Sequence, residues 1–257
     1  AISREILGNA AGAISGMVSS SIAGGDPAGR KEHRPLLAAT MFGVTTPCVE
    51  TVRERLEGAG YELLVFHATG TGGRAMEGLI EDGYIEGVAD VTTTEWCDEV
   101  VGGILSAGPH RLEAAGKAGI PQVVSCGALD MVNFAHIDTV PERFADRRLH
   151  KHNENVTLMR TEPEECREIG RRIAEKLSAA TGPVTLVLPL RGVSAIDRED
   201  QPFYHPEADE ALFDALRSHC SDSVELVEID AHINDPAFGK ALAERLVEHL
   251  GGGSRGG

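Results

Sequence analysis

The chain has 257 residues, 42% of them hydrophobic, and a formal net charge of −16. That length suits one large α/β domain or two small ones, no apolar run approaches the ~20 residues of a membrane span, and the acidity argues against nucleic-acid or anionic-membrane partners. The five cysteines are widely spaced and form no CxxC pair, which argues against a disulfide framework or zinc knuckle and fits a reducing cytoplasm.

Residues 1–17 carry Ile6, Leu7, Ala10, Ile14 and Met17 at helical spacing, and the polar stretch Ser19–Arg34 reads as a linker. Together, residues 1–34 are expected to be a helix and linker leading from a preceding domain. The missing initiator Met is read as a processed chain or a fragment. A regular alternation then begins. Leu36–Phe42 is a predicted strand, followed by GVTTP and a helix with Val49, Val52 and Leu56 on one face. Glu62–His67 is the second strand, followed by TGTGG and a helix expected from Arg74, with Met76, Leu79 and Ile80. Ile85–Val91 is the third, followed by TTTE and a helix carrying Trp96, Val100, Ile104 and Leu105. Gln122–Ser125 is a short fourth strand, leading into CGALDMVNF as a loop.

His136–Asn155 shows no regular pattern, and Val156–Arg160 reads as a strand. Thr161 with Glu164 three residues later predicts a capping box for a helix whose stripe is Cys166, Ile169, Ile173 and Leu177. Val184–Leu190 and Val224–Ile229 are apolar strands, followed by RGVSAID and DAHINDP. The final helix shows Phe238, Leu242 and Leu246, and residues 251–257 read as a disordered tail. Strands alternating with helices predict an α/β class: a Rossmann-like, mostly parallel sheet over 35–250 with helices on both faces.

Ligands of open α/β sheets bind beyond the carboxyl ends of the strands. Those ends carry Thr45 and Thr46; His67, Thr69, Gly70, Thr71, Gly72, Gly73 and Arg74; and Thr92, Thr93, Thr94 and Glu95. Farther along come Cys126, Gly127 and Asp130; Arg191 and Ser194; and His232. Turn chemistry and helix capping explain each loop singly, whereas their repetition favours one composite site for a small anionic molecule. TGTGG lacks the lysine of a P-loop and does not follow GxGxxG. It is therefore read as an anion loop, with Arg74 either supplying charge or lying solvated in the first helical turn. Arg191 is either an anion clamp or a structural partner of Asp197. Glu95 and Asp130 either bind Mg²⁺ or a ribose hydroxyl, or cap helices without a ligand.

Cys48 and Cys126 near helix starts offer nucleophiles or a paired acid and base, against the ordinary reading of buried, inert thiols. His67 and His232 are candidates for acid–base work, and no metal site is expected because no HExxH-like spacing occurs. The scarcity of Lys, five of 24 basic residues, fits either a halophilic source or high-GC codon usage.

The phrases AGAISGMV, ATMFGVTTPCV, HATGTGGRAME, DVTTTEW, CGALDMVNF, HNENVTLMRTEPEE, LPLRGVSAID, FYHPEAD and HINDPAF cover most of the chain. They resemble the C-terminal half of the family typified by the plant tomato mosaic virus resistance protein, whose bacterial and archaeal members are labelled ATP-binding. The resemblance implies a Rossmann-like domain, and it implies that ATP and Mg²⁺ go with the preceding domain, in cis or as a separate chain. The expected role is a small-anion or nucleotide-ligand-binding module of a two-domain cytoplasmic protein, itself expected to be a homo-oligomer. The alternative is a small-molecule enzyme using Cys and His chemistry at the strand ends.

Overall fold

The computed structural model describes residues 2–22 and 34–252. The chain divides into two units, residues 1–34 and 35–257. The first holds α1 (Ile2–Ile22), which continues past the expected end at residue 17 because Ser-Ser-Ser-Ile contains no helix breaker. The rest of the expected linker, 23–33, lies outside the described residues. None of the helices among the described residues is long and apolar enough to cross a membrane.

In the second unit six strands form one parallel sheet. They are β1 (Leu36–Met41), β2 (Glu62–His67), β3 (Gly87–Thr92), β4 (Gln122–Gly127), β8 (Val184–Pro189) and β9 (Val224–Ile229), in the order β2-β1-β3-β4-β8-β9. The order reverses direction between β1 and β3, the switch point at which doubly wound sheets open a crevice. β3, β4 and β8 are buried along their whole length, which is why their sequences read as continuous apolar or small runs.

Alternate residues of these strands supply two cores. Leu37, Ala39, Ala89, Val91, Val123 and Val187 pack with α2 (Thr46–Gly58) and α8 (Pro236–Gly252). On the opposite face, Val124, Leu186 and Leu188 pack with α4 (Glu95–Val101), α6 (Pro163–Ser178) and α7 (Pro206–His219). Ala38 and Val88 meet α3 (Thr71–Glu81) and α5 (Ala114–Ala118) there. The predicted stripe of α6 is buried throughout, and Ile169, Ile173 and Leu177 each contribute roughly 1.5–3 kcal/mol of transfer free energy. The α/β Rossmann-like expectation is borne out.

Four local expectations change. CGALDMVNF and the irregular stretch after it hold β5 (Met131–Phe134) and β6 (Leu149–Asn153), which pair antiparallel with β7 (Val156–Arg160) in the order β5-β7-β6. The sequence Leu-His-Lys-His-Asn hid β6, because an exposed edge strand needs no apolar alternation. The helix expected to include Ile104 and Leu105 ends at Val101, where Gly102 takes φ +99° and Ile104 is left 60% exposed. The capping box of α6 is Glu162 with Glu165, one residue later than expected, because Pro163 takes the first helical position. α8 continues to Gly252, and the remainder of the expected tail lies outside the described residues.

Candidate functional site

At the switch point the threonines bond to one another and to the backbone. Thr40 Oγ1 donates to Asp90 Oδ1 at 2.7 Å and accepts from Thr92 N at 2.9 Å. Thr45 and Thr92 share a hydroxyl hydrogen bond of 2.8 Å. Thr93 donates to the Ser125 carbonyl, Thr94 to that of Met131, and Thr46 to that of Gly43. Thr45, Thr92, Thr93 and Thr94 are fully buried. A cluster of Val44, Ala128, Met131, Leu158 and Phe203 joins the small sheet to the ends of β1 and β4. Gly127 is required because a Cβ there would lie 2.2 Å from the Val91 carbonyl oxygen.

The glycine loop holds an anion, and that anion is the chain's own Glu95. α3 starts at Thr71 rather than Arg74, so TGG forms its first turn. Glu95 Oε1 accepts the Gly70 and Gly73 amides at 2.6 and 3.1 Å, the geometry in which a helix N-terminus takes a carboxylate. A Cβ on Gly73 would lie 2.2 Å from Glu95 Oε2, and one on Gly72 would lie 1.9 Å from the His67 carbonyl oxygen. Glu95 Oε2 accepts from Arg111 Nε at 2.6 Å, and Arg111 grips both oxygens of Asp90 at 2.6 and 2.7 Å. Glu77 Oε1 completes the set at 3.2 Å. Burial opposes the Arg111 charge, but Asp90, then Glu95 and Glu77, outweigh it and hold the guanidinium firmly ionised. Arg74 donates to the Ser106 carbonyl, and Thr69 to that of His67. With its amides engaged, the loop does not fit an ATP phosphate, which would have to sit against the Glu95 carboxylate.

The two candidate thiols are buried. Desolvation pushes the Cys48 thiol up to about 12 and raises that of Cys126 further, so neither forms a ready thiolate. His67 lies exposed at the end of edge strand β2, its ring 5.3 Å from that of Phe42. Among the described residues no group of three or more His, Cys, Asp or Glu side chains is placed to hold a metal ion.

Open space at the strand ends lies beyond β8 and β9, in a cavity of about 670 Å³ whose lining includes Arg191, Gly192, Arg198, Tyr204, Asp209 and His232. Arg191 is exposed and pairs bidentately with Asp230 at 2.6 and 2.8 Å, instead of with Asp197. Gly192, at φ +117°, brings its backbone so near the Asp197 carbonyl oxygen that a Cβ would lie 1.8 Å from it. Arg198 is exposed and has no ion-pair partner among the described residues. His232 is held on both nitrogens: Nε2 lies 2.8 Å from the Ser194 carbonyl oxygen, and Nδ1 accepts the Asn234 amide at 3.1 Å. Those partners define a neutral ring with its proton on Nε2.

Behind the cavity lies a buried charge cluster. Arg160 Nη2 donates to Asp209 Oδ1 at 2.5 Å and lies 3.6 Å from Asp197 Oδ1. Its Nε donates to the Phe203 carbonyl, and Nη1 to Thr161 Oγ1. Ser194 Oγ donates to Asp130 Oδ2 at 2.7 Å, while Asp130 Oδ1 is buried without a hydrogen-bond partner. Three carboxyl groups around one guanidinium leave excess negative charge where water is scarce, so the cluster favours holding a proton. Burial and then the charge of Asp197 push Asp130 up to about 7 and Asp209 up to about 8.

Of the residues expected to form one composite site, the structure brings Arg191 and His232 to this cavity and sets Ser194 and Asp130 directly behind it. The Thr92–Glu95 and Thr69–Arg74 groups form a separate, internally satisfied network. Sequence reasoning missed Arg160, Arg198, Asp209 and Arg111, and offered Asp197 only as a partner of Arg191. The available signals were an Arg ending the apolar strand Val-Thr-Leu-Met-Arg, and an Asp in the first turn of the helix opened by Pro206.

Fold and cavity together define an α/β domain of the doubly wound class, with a small antiparallel sheet over the strand ends. The chain belongs to the family described as "Uncharacterised protein family (UPF0261) C-terminal domain", whose model matches residues 34–250. It is 57% identical over 250 residues to a UPF0261 protein of Clostridium tetani, covering 97% of this chain and 61% of that one. A UPF0261 protein of Rhizobium meliloti is 51% identical, with 93% and 59% covered. The tomato (Solanum lycopersicum) ToMV resistance protein Tm-1(GCR237) is 44% identical over 96% of this chain and 33% of its own. The chain thus spans about three fifths of the bacterial relatives it matches.

Proposed function

We propose that this domain binds a small anionic molecule in the cavity beyond β8 and β9, as one module of a longer protein. The observation that carries the reading is the placement of two guanidinium groups, Arg191 and Arg198, at a strand-end cavity. The cavity lies beyond the carboxyl ends of the strands, away from the switch point between β1 and β3, and Arg198 enters it with no ion-pair partner among the described residues. Glu199, Asp200 and Asp235 also line the mouth. The favoured ligand therefore combines an anionic group with hydrogen-bond donors, as hydroxy- or amino-substituted acids do.

Isothermal titration with inorganic phosphate, citrate, malate and ATP tests this reading on the chain alone and on the longer protein. Arg198→Ala is expected to weaken binding about 10- to 100-fold, the worth of one charge-assisted hydrogen bond. Absence of binding to every probe in both forms, or identical affinities in Arg198→Ala, would sink the reading.

A further inference from the structure

We propose that Asp209 is the proton-exchanging group of this cavity, passing a proton to a small carboxylic or phosphoric acid anion held at Arg198 and recovering it on release. This rests on the binding reading above and extends it from binding to proton-transfer chemistry.

The geometry is specific. Asp209 is 8% exposed and lines the cavity from the first turn of α7. Its Oδ1 is taken by Arg160 at 2.5 Å, whereas Oδ2 has no hydrogen-bond partner among the described residues. One oxygen is thus anchored and the other free. Behind it Asp130 Oδ1 and Asp197 Oδ1 are buried without hydrogen bonds among the described residues, so the cluster contains more acceptors than donors. A proton on Asp209 relieves that excess, and Asp209 lines the cavity open to solvent. The groups that face Asp209 come from every neighbouring element. They are Arg160 from β7, Asp130 after β4, Asp197 from the β8–α7 loop, and the neutral thiols of Cys126 and Cys166 on β4 and α6. On the cavity side the same lining carries Arg191, Arg198, Glu199, Asp200, Glu210 and Asp235, with the ring of His232.

In the forward step the Oδ2–H bond breaks and the proton bonds to a basic atom of the anion. The electron pair stays on Asp209, whose new charge is held by Arg160 at Oδ1. The reverse step restores the acid, and nothing is oxidised or reduced.

Infrared difference spectra of the whole chain, titrated through neutral to mildly alkaline pH, read this group through the C=O stretch of a protonated carboxyl. Asp98 and Asp130 contribute components that disappear at lower pH, and the expected Asp209 component disappears last, with a midpoint near 8. It is lost in Asp209→Asn, and its midpoint falls in Asp130→Asn, where a like charge has gone. Saturating phosphate, by taking the proton, weakens the band and lowers its midpoint in the unaltered chain and not in Arg198→Ala. If Asp209→Asn fails to fold, Asp209→Glu keeps an acid at a displaced position and must shift the same band. A band absent at neutral pH, a band unchanged by both Asp209 variants, or phosphate binding without any midpoint shift overturns the proposal. The binding reading fails instead on calorimetry, so the two failures are distinguishable.

Discussion

Glu95→Ala tests whether the glycine loop is an anion site filled from within. The substitution removes the acceptor of two buried amides, those of Gly70 and Gly73, and one oxygen from the grip of Arg111. Two stranded donors at roughly 1–3 kcal/mol each, with Arg111 retaining Asp90 and Glu77, give an expected loss of about 3–5 kcal/mol. For a unit of this size that lowers the melting temperature by roughly 10 °C. The vacated space is the size of a carboxylate and is walled by two N–H groups and a guanidinium. Formate is expected to refill it, and at ten times its dissociation constant restores about 1.4 kcal/mol through RT ln(1 + [L]/Kd). The assay is urea unfolding of both proteins in formate and in chloride at matched ionic strength. Formate should raise the urea midpoint of the variant and leave the unaltered chain unchanged. A loss below about 1 kcal/mol, or equal formate effects on both proteins, would refute the self-filled site, since an exposed carboxylate contributes little.

Stability is expected to fall as pH rises from about 5 to 8. Asp98 and Asp130 are raised to about 7 and Asp209 to about 8, burial being the first cause of each. The folded state therefore binds more protons than the unfolded chain above the ordinary carboxylate range, so stability declines with rising pH until the raised values are passed. Urea midpoints should decline across that window and flatten in Asp130→Asn; a rising profile contradicts the cluster. Below that window Glu113 and Glu168, lowered to about 2 chiefly by hydrogen bonds from Lys117 and Arg171, act in the opposite sense. Cys48 and Cys126 should react with an aromatic disulfide at the unfolding rate in native buffer; fast, stoichiometric labelling of either would restore the thiol reading.

The parallel sheet was legible because buried strands write themselves as apolar runs and their helices as 3.6-residue stripes. Val184–Pro189 and the α6 stripe show both signals. Of the small sheet only β7 was legible, at its observed bounds, since β5 has four residues and β6 carries Lys151 and two histidines at an exposed edge. The same limit applies to charges. TGTGG announces an anion at a helix start, but whether the anion is a ligand or Glu95 depends on a fold that brings residues 22 to 25 positions apart together. Arg160 is marked only by its place at the end of an apolar strand, and Arg111 by no local pattern; both are buried through carboxylate partners that come from distant parts of the chain.

The small antiparallel sheet has a mechanical consequence. Asp130 immediately precedes β5 and Arg160 ends β7, so the two chain crossings that tie this flap to the main sheet are themselves members of the buried charge cluster. Arg160 places its guanidinium between Asp209 and Asp197, so the end of β7 is anchored by charge as well as by apolar packing. The same residues that fasten the small sheet to the domain thus also carry its buried charge, so a substitution at Asp130 or Arg160 disturbs the attachment and the charge balance together.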